Sequence, residues 1–273
     1  MEIQATPHNR AGELALEIYR KTLSRITGRS QVLESVQLDG NELKVGSETF
    51  DLSRYQRVFV CGAGKASPSM AQGLEGLLGD RVSGGLVATK YGHSVGLRSV
   101  REVEAGHPVP DENSLRVGAE MLEFARQCKP DDLVIFVLSG GASALMESLE
   151  PGFTLSDIQS LNEDLLRSNK PIHVINAVRA TYSKVKAGGL AQAFGCEVVS
   201  GDRAHAGAGT GERFAPRRRV GGLTFRSASA DSIRKFRDAF HRFGSHSSGD
   251  GPRGIAWSVR RNPRVHSGVE LSM

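Results

Sequence analysis

Two glycine-bordered segments carry the residue types that handle anion chemistry. Cys61-Gly62-Ala63-Gly64-Lys65-Ala66-Ser67 follows the apolar run Val58-Phe59-Val60, and Ser139-Gly140-Gly141-Ala142-Ser143 follows Leu133-Val134-Ile135-Phe136-Val137-Leu138. A strand, a glycine turn and a helix together set backbone N–H groups and a helix N-terminus against a phosphate. On that reading Gly62 and Gly64 shape the first turn, and the Lys65 ammonium is an electrostatic partner for a transferring phosphoryl group. Ser139, Gly140, Gly141 and Ser143 repeat the arrangement, with small residues that let a ligand approach the backbone. Two such loops at the carboxyl ends of parallel strands mark a ligand crevice. The same turns also serve simply to pack a helix tightly on a strand.

Spacing excludes several familiar sites. The first segment is not a P-loop, because Phe59 stands where that motif has its first glycine. It is a poor dinucleotide fingerprint, since Ser67 holds the third glycine position and Ala88-Thr89-Lys90 brings no acid to the end of the next strand. A serine nucleophile elbow needs Gly-x-Ser-x-Gly, and Gly141-Ala142-Ser143-Ala144-Leu145 lacks the last glycine. Cys61, Cys128 and Cys196 lie far apart with no Cys/His spacing for zinc, so reduced thiols are expected and no metal ligands are assigned. Two polar loops remain, Lys90-Tyr91-Gly92-His93 and Glu104 to Asp111, the second holding His107 between glycine and proline. Asn176, Arg179, Lys184 and Lys186 fall on one predicted helix. There Arg179 and Lys186, seven apart, share a face that either points at an anionic substrate or is solvated.

The elements that must position these residues follow from periodicity. An amphipathic helix is predicted over 10–28 and a hairpin from 36–38 to 43–45 around Asp39-Gly40-Asn41. Strands are predicted at 57–61, 85–89 and 133–138, with helices over 66–78, 113–127, 155–168 and 173–195. The six apolar residues 133–138 suit a central parallel strand covered on both faces. The fold class expected is α/β, a Rossmann-like, mostly parallel sheet flanked by helices over residues 8–200, with a poorly structured basic C-terminal tail.

That tail, 201–273, breaks the rhythm. Residues 1–200 carry net charge −3, and the tail carries +8 with 13 Arg to one Lys. Only 13 of its 73 residues are Ile, Leu, Val or Phe, a level typical of disorder. It reads as a disordered basic extension or as a segment translated out of frame after Val199. Nucleic-acid binding is not expected, because the Arg clusters come almost without stacking aromatics. No signal peptide and no apolar run of membrane-spanning length is seen, and a cytoplasmic location is expected.

Taken in order, Gly62 to Ala66, Thr89 to His93, Glu104 to Asp111, Leu138 to Leu145, Asn176 to Arg179 and Lys184 to Ala191 resemble the glycerate 2-kinase family. The resemblance covers roughly residues 8–200. It implies a Rossmann-like domain and a smaller C-terminal domain, with ATP-dependent phosphorylation of D-glycerate to 2-phosphoglycerate in the presence of magnesium. By resemblance Lys65 is catalytic, Gly62, Gly64, Ser139, Gly140, Gly141 and Ser143 face the nucleotide, and His107, Arg179 and Lys186 face substrate. The family continues past residue 199 with an Asp-containing strand end and a second domain, which the sequence here does not supply. A truncated chain with half a cleft is expected to be a poor catalyst. Two rival readings are an NAD(P)H-dependent hydroxypyruvate reductase and an inactive fragment with a basic binding tail. Oligomeric state is left open.

Overall fold

In the computed structural model, residues 9–46, 48–202 and 256–260 are described. A helical start, α1 (Arg10–Arg25) and α2 (Gly28–Ser35), leads into a three-stranded antiparallel sheet of β1 (Val36–Asp39), β2 (Glu42–Val45) and β3 (Glu48–Asp51). The expected hairpin is present, and Gly40 turns it with φ 55°. Asn9 and Thr27 cap the two helices by accepting from Gly12 and Ser30 N–H groups. Periodicity over 10–28 had suggested one helix. The Thr27 cap divides it, because its hydroxyl takes over a donor at the start of a new helix. The α1 helix buries none of its residues.

The main sheet is built from β4 (Arg57–Ala63), β5 (Val82–Gly84), β6 (Leu86–Lys90), β7 (Arg101–Ala105), β8 (Asp132–Leu138), β9 (Glu197–Asp202) and β10 (Ala256–Arg260). Its order is β10-β9-β8-β4-β6-β7, with β5 also paired to β4, and every pair is parallel except β10 with β9. Strand β8 is central, as its continuous apolar run requires. Its Val134 and Phe136 pack into one core, while Leu133, Ile135 and Val137 pack into the other. Phe59, Cys61 and Ala63 of β4 join the first core, and Val58 and Val60 join the second. This period of two across a doubly covered sheet is the signature of an α/β layer structure.

One layer is α3 (Ser67–Leu78), which packs with α2 through Val32, Met70, Ala71, Leu74 and Leu78. The opposite layer comes from α4 (Glu112–Gln127), α5 (Ala142–Leu145) and α8 (Gly189–Ala193), through Val117, Met121, Leu145 and Leu190. A satellite core of Leu165, Ile175 and Val178 joins α6 (Leu155–Arg167) to α7 (Ile172–Thr181).

Two elements depart from the sequence reading. The helix expected over 173–195 is two helices, α7 and α8. Between them Tyr182 is buried, Ser183 bridges to Leu149, and Ala187 and Gly188 adopt φ values of 50° and 82°. A side chain at Gly189 would come within 2.0 Å of the Lys184 carbonyl, so the chain folds back where glycine permits it. Strand β9 runs past Val199 to Asp202, so an Asp-containing strand end is present, beside Leu138. Within the tail, Ala256–Arg260 pairs antiparallel with β9 as an edge strand. The expectations of disorder or a shifted frame for 203–255 and 261–273, and that they do not bind nucleic acid, lie outside the described residues.

Candidate functional site

The two glycine loops are tied to each other at the carboxyl ends of β4 and β8. Ser139 N–H donates to Ala63 O at 3.1 Å, and Lys65 N–H donates to Gly140 O at 3.0 Å. Ser139 is buried, and its hydroxyl accepts from Ala66 N–H at 3.0 Å while lying 3.2 Å from the Ser67 hydroxyl. A Cβ at Gly62 would sit 2.3 Å from Val137 O, and one at Gly64, where φ is 134°, only 2.1 Å from Ser139 Oγ. These two glycines therefore bring the loops together. Gly64, Lys65, Ala66 and Ser67 spend their N–H groups internally. No partner is found among the described residues for the N–H groups of Gly140, Gly141 and Ser143. The donors open to an anion thus belong to the second loop, and the first loop contributes the exposed Lys65 side chain.

His107 joins them from the loop after β7. A methyl group on Gly141, whose φ is 100°, would lie 2.8 Å from the His107 ring and 3.5 Å from Lys65 Cγ. Partial burial, then the charges of Lys65, Lys90 and His93, hold the His107 imidazolium pKa below its usual 6.5. The neutral ring is therefore favoured near pH 7. Lys65 and Lys90, with His93 and His107 beside them, make an electropositive rim on three strand ends, which suits an anionic ligand.

That rim is braced by residues without a recognisable spacing. Glu104 accepts from Gly92 and Ser94 N–H groups at 2.9 and 3.3 Å. Its carboxyl is held below the ordinary 4.5, chiefly by Ser94. Tyr91 OH donates to Asp111 at 2.7 Å and accepts from Asn113 at 3.0 Å, while Asp111 and Ser114 form a capping box on α4. Burial works to raise the Asp111 pKa, but Tyr91, Gly106 and Ser114 outweigh it and hold it below 3.8. The rest of the β6–β7 connection hangs on two more carboxylates. Glu75, buried on α3, accepts from Arg98, Ser99 and Val100. Glu102 accepts from Val95, Gly96 and Leu97. Apart from the Asp111–Ser114 cap, which has a local spacing, these braces carry no one-dimensional signal, because each joins residues from different elements.

Arg179 and Lys186 do not share a helix face and belong to another cluster. Lys186, beyond the end of α7, is ion-paired to Glu147, with 12% and 1% of their side chains exposed. Burial pulls the Lys186 pKa down against the pull of Glu147. Arg179 Nε donates to Asn162 at 2.8 Å, and the buried Tyr182 hydroxyl, raised by burial, lies 3.5 Å from the same oxygen. The two clusters meet where Gln159 of α6 donates to Pro110 O at 2.9 Å, within the His107 loop.

Among the described residues no group of three His, Cys, Asp or Glu could hold a metal ion. The nearby carboxylates Glu104 and Asp111 are engaged by Gly92, Ser94, Tyr91 and Ser114. No helix among those residues is long and apolar enough to cross a membrane.

A family model described as "Domain of unknown function (DUF4147)" matches residues 14–200. A "Glycerate 2-kinase" of Pyrococcus horikoshii is 35% identical over 180 residues, covering 66% of this chain and 40% of that protein. A "Putative hydroxypyruvate reductase" of Agrobacterium vitis is 44% identical over 136 residues, 50% of this chain and 35% of that protein. The crystal structure of a glycerate kinase from Thermotoga maritima superposes with a TM-score of 0.62 at 31% identity, covering 85% of this chain and 52% of that one. The chain thus spans about two fifths of the length of these curated relatives.

Proposed function

The chain belongs to the DUF4147 family, and from that premise we propose that its α/β domain carries the phosphate-facing wall of an ATP-dependent glycerate 2-kinase. The observation that carries the reading is the convergence of Lys65, His107 and the open N–H groups beside Gly141. In the reaction the 2-hydroxyl oxygen of D-glycerate bonds to the γ-phosphorus of ATP, and the bond from that phosphorus to the β–γ bridging oxygen breaks, releasing ADP. The hydroxyl proton leaves with solvent or a basic group. Charge builds on the transferring phosphoryl oxygens, and fixed donors and cations placed there lower the barrier. Gly140, Gly141 and Ser143 offer the donors, and Lys65 offers the cation.

Gly62, Gly64 and the buried Ser139 hydroxyl hold the Lys65 loop against that surface rather than donating to the nucleotide. His107 offers a largely neutral ring to substrate. Arg179 and Lys186 act one layer back, supporting the loop that carries Gly141. Magnesium accompanies ATP as its counter-ion, and no step is routed through it. The reaction is placed in the cytoplasm, which keeps thiols reduced.

Incubation with γ-labelled ATP and D-glycerate tests the reading. Label in 2-phosphoglycerate, lost in Lys65→Ala, supports it. Retained transfer in Lys65→Ala refutes the role of the lysine. The name of the Agrobacterium relative favours a second reading, a hydroxypyruvate reductase. NADH oxidation on adding hydroxypyruvate, with no label transferred, would establish that instead.

A further inference from the structure

The three cysteines, remote from one another in sequence, meet in one core. Cys128 ends α4, its thiol 3.4 Å from the Phe124 carbonyl oxygen. Cys196 immediately precedes β9, and the pairing of Leu133 with Glu197 sets it beside Asp132. The backbones touch here as well, since a Cβ on Gly195 would lie 3.0 Å from Cys128 O. Each of the two thiols is the main influence on the other's pKa. They lie at the amino ends of the strands, the opposite edge of the sheet from Lys65 and His107. Cys128 keeps 8% of its surface, whereas Cys61 in β4 and Cys196 have 0% and 1%.

We propose that Cys128 and Cys196 are an oxidisable dithiol, a modification site that hydroperoxides convert to an intrachain disulfide. The neighbouring Cys196, then Arg57 acting against burial and Asp132, draws the Cys128 pKa down. Cys128, the more exposed of the two thiols, reacts first. Its sulfur attacks one oxygen of hydrogen peroxide and the O–O bond breaks, giving Cys128 sulfenic acid and hydroxide, which takes a proton to become water. Cys196 sulfur then attacks the sulfenic sulfur, the S–O bond breaks, and a second water leaves. Two thiols lose two electrons in all, and one peroxide gains them. Cys61, whose thiol burial pushes up to about 12, takes no part.

The bond would pin the end of α4 to the start of β9 and close a loop of roughly 70 residues, constraining the unfolded chain. The test treats the folded full chain with hydrogen peroxide, blocks free thiols after denaturation and maps the fragments by mass spectrometry. The expected product is lighter by about 2 Da, links the fragments holding Cys128 and Cys196, and leaves Cys61 free to be blocked. Its thermal midpoint should rise by several degrees, and reduction should reverse both changes. Cys128→Ser and Cys196→Ser should each abolish the link, and Cys61→Ser should keep it. Two fully blockable thiols, a link through Cys61, or oxygen addition at Cys128 without a link would each overturn the proposal. The wild-type mapping decides it even if a serine variant fails to fold.

Discussion

Replacing Glu147 with leucine separates a buried strut from a ligand-facing cation. Glu147 is almost fully enclosed, one of its oxygens accepting from Ser148 N–H at 3.0 Å and the other paired to Lys186. Removing the carboxylate strands an ammonium that is itself 12% exposed. Breaking such a pair from one side costs about 3–5 kcal/mol, because the remaining charge stays buried without compensation. At a urea slope of about 2 kcal/mol/M, the denaturation midpoint should fall by roughly 1.5–2.5 M. Lys186→Met should cost a similar amount. The double variant Glu147→Leu/Lys186→Met removes both charges and should recover most of the loss. Equilibrium urea unfolding followed by circular dichroism reads all three. The reasoning is refuted if either single variant moves the midpoint by less than about 0.5 M, or if the double variant is as unstable as the singles. A Lys186→Met chain of unchanged stability that no longer binds glycerate would restore the lysine to the ligand.

Gly64→Ala should destabilise the domain by about 2–5 kcal/mol, combining a backbone conformation reserved for glycine with overpacking against Ser139; urea unfolding checks it. Lys65→Ala should leave the urea midpoint within the range of about 0.5 kcal/mol usual for exposed sites while weakening ATP binding, read by calorimetry. Acidification should loosen the rim. The Glu104 and Asp111 carboxyls titrate lower when folded than their ordinary 4.5 and 3.8, so the unfolded chain takes up protons first. Their contribution is full above those values and is lost as pH falls through the folded ones. Hydrogen exchange at the Gly92 and Ser94 amides, corrected for intrinsic rate, should then speed up, while amides of β8 stay protected.

Periodicity showed what depends on neighbours along the chain. The six apolar residues of β8 announce a strand covered on both faces, and Asp39-Gly40-Asn41 announces a hairpin. What escaped it depends on residues distant in sequence. Strand β7 reads Arg-Glu-Val-Glu-Ala, too polar and too short to stand out, and it forms by pairing with β6. The break after α7 is decided by Tyr182 turning inward and by the backbone approach at Gly189, so Arg179 and Lys186 lose their shared face. Lys65, His107 and Gly141 each stood out as residue types. Their meeting is a property of the sheet order, which places β4 between β8 and β6 with β7 beyond. The glycines of the first loop have the composition of a phosphate cradle, yet only the hydrogen bonds show that its N–H groups are already spent.

The long connection from Tyr91 to Val100 is shaped by something outside its own side chains. Glu75, Glu102 and Glu104 hold it by backbone N–H groups, which every residue but proline possesses. Apart from Gly92 and Gly96, which turn at φ 74° and 75°, and Tyr91, Leu97 and Val100, which are held by their side chains, its letters could drift without altering its course. Over evolutionary time the surface beside the rim could thus be rewritten while the path beneath it was inherited from three glutamates.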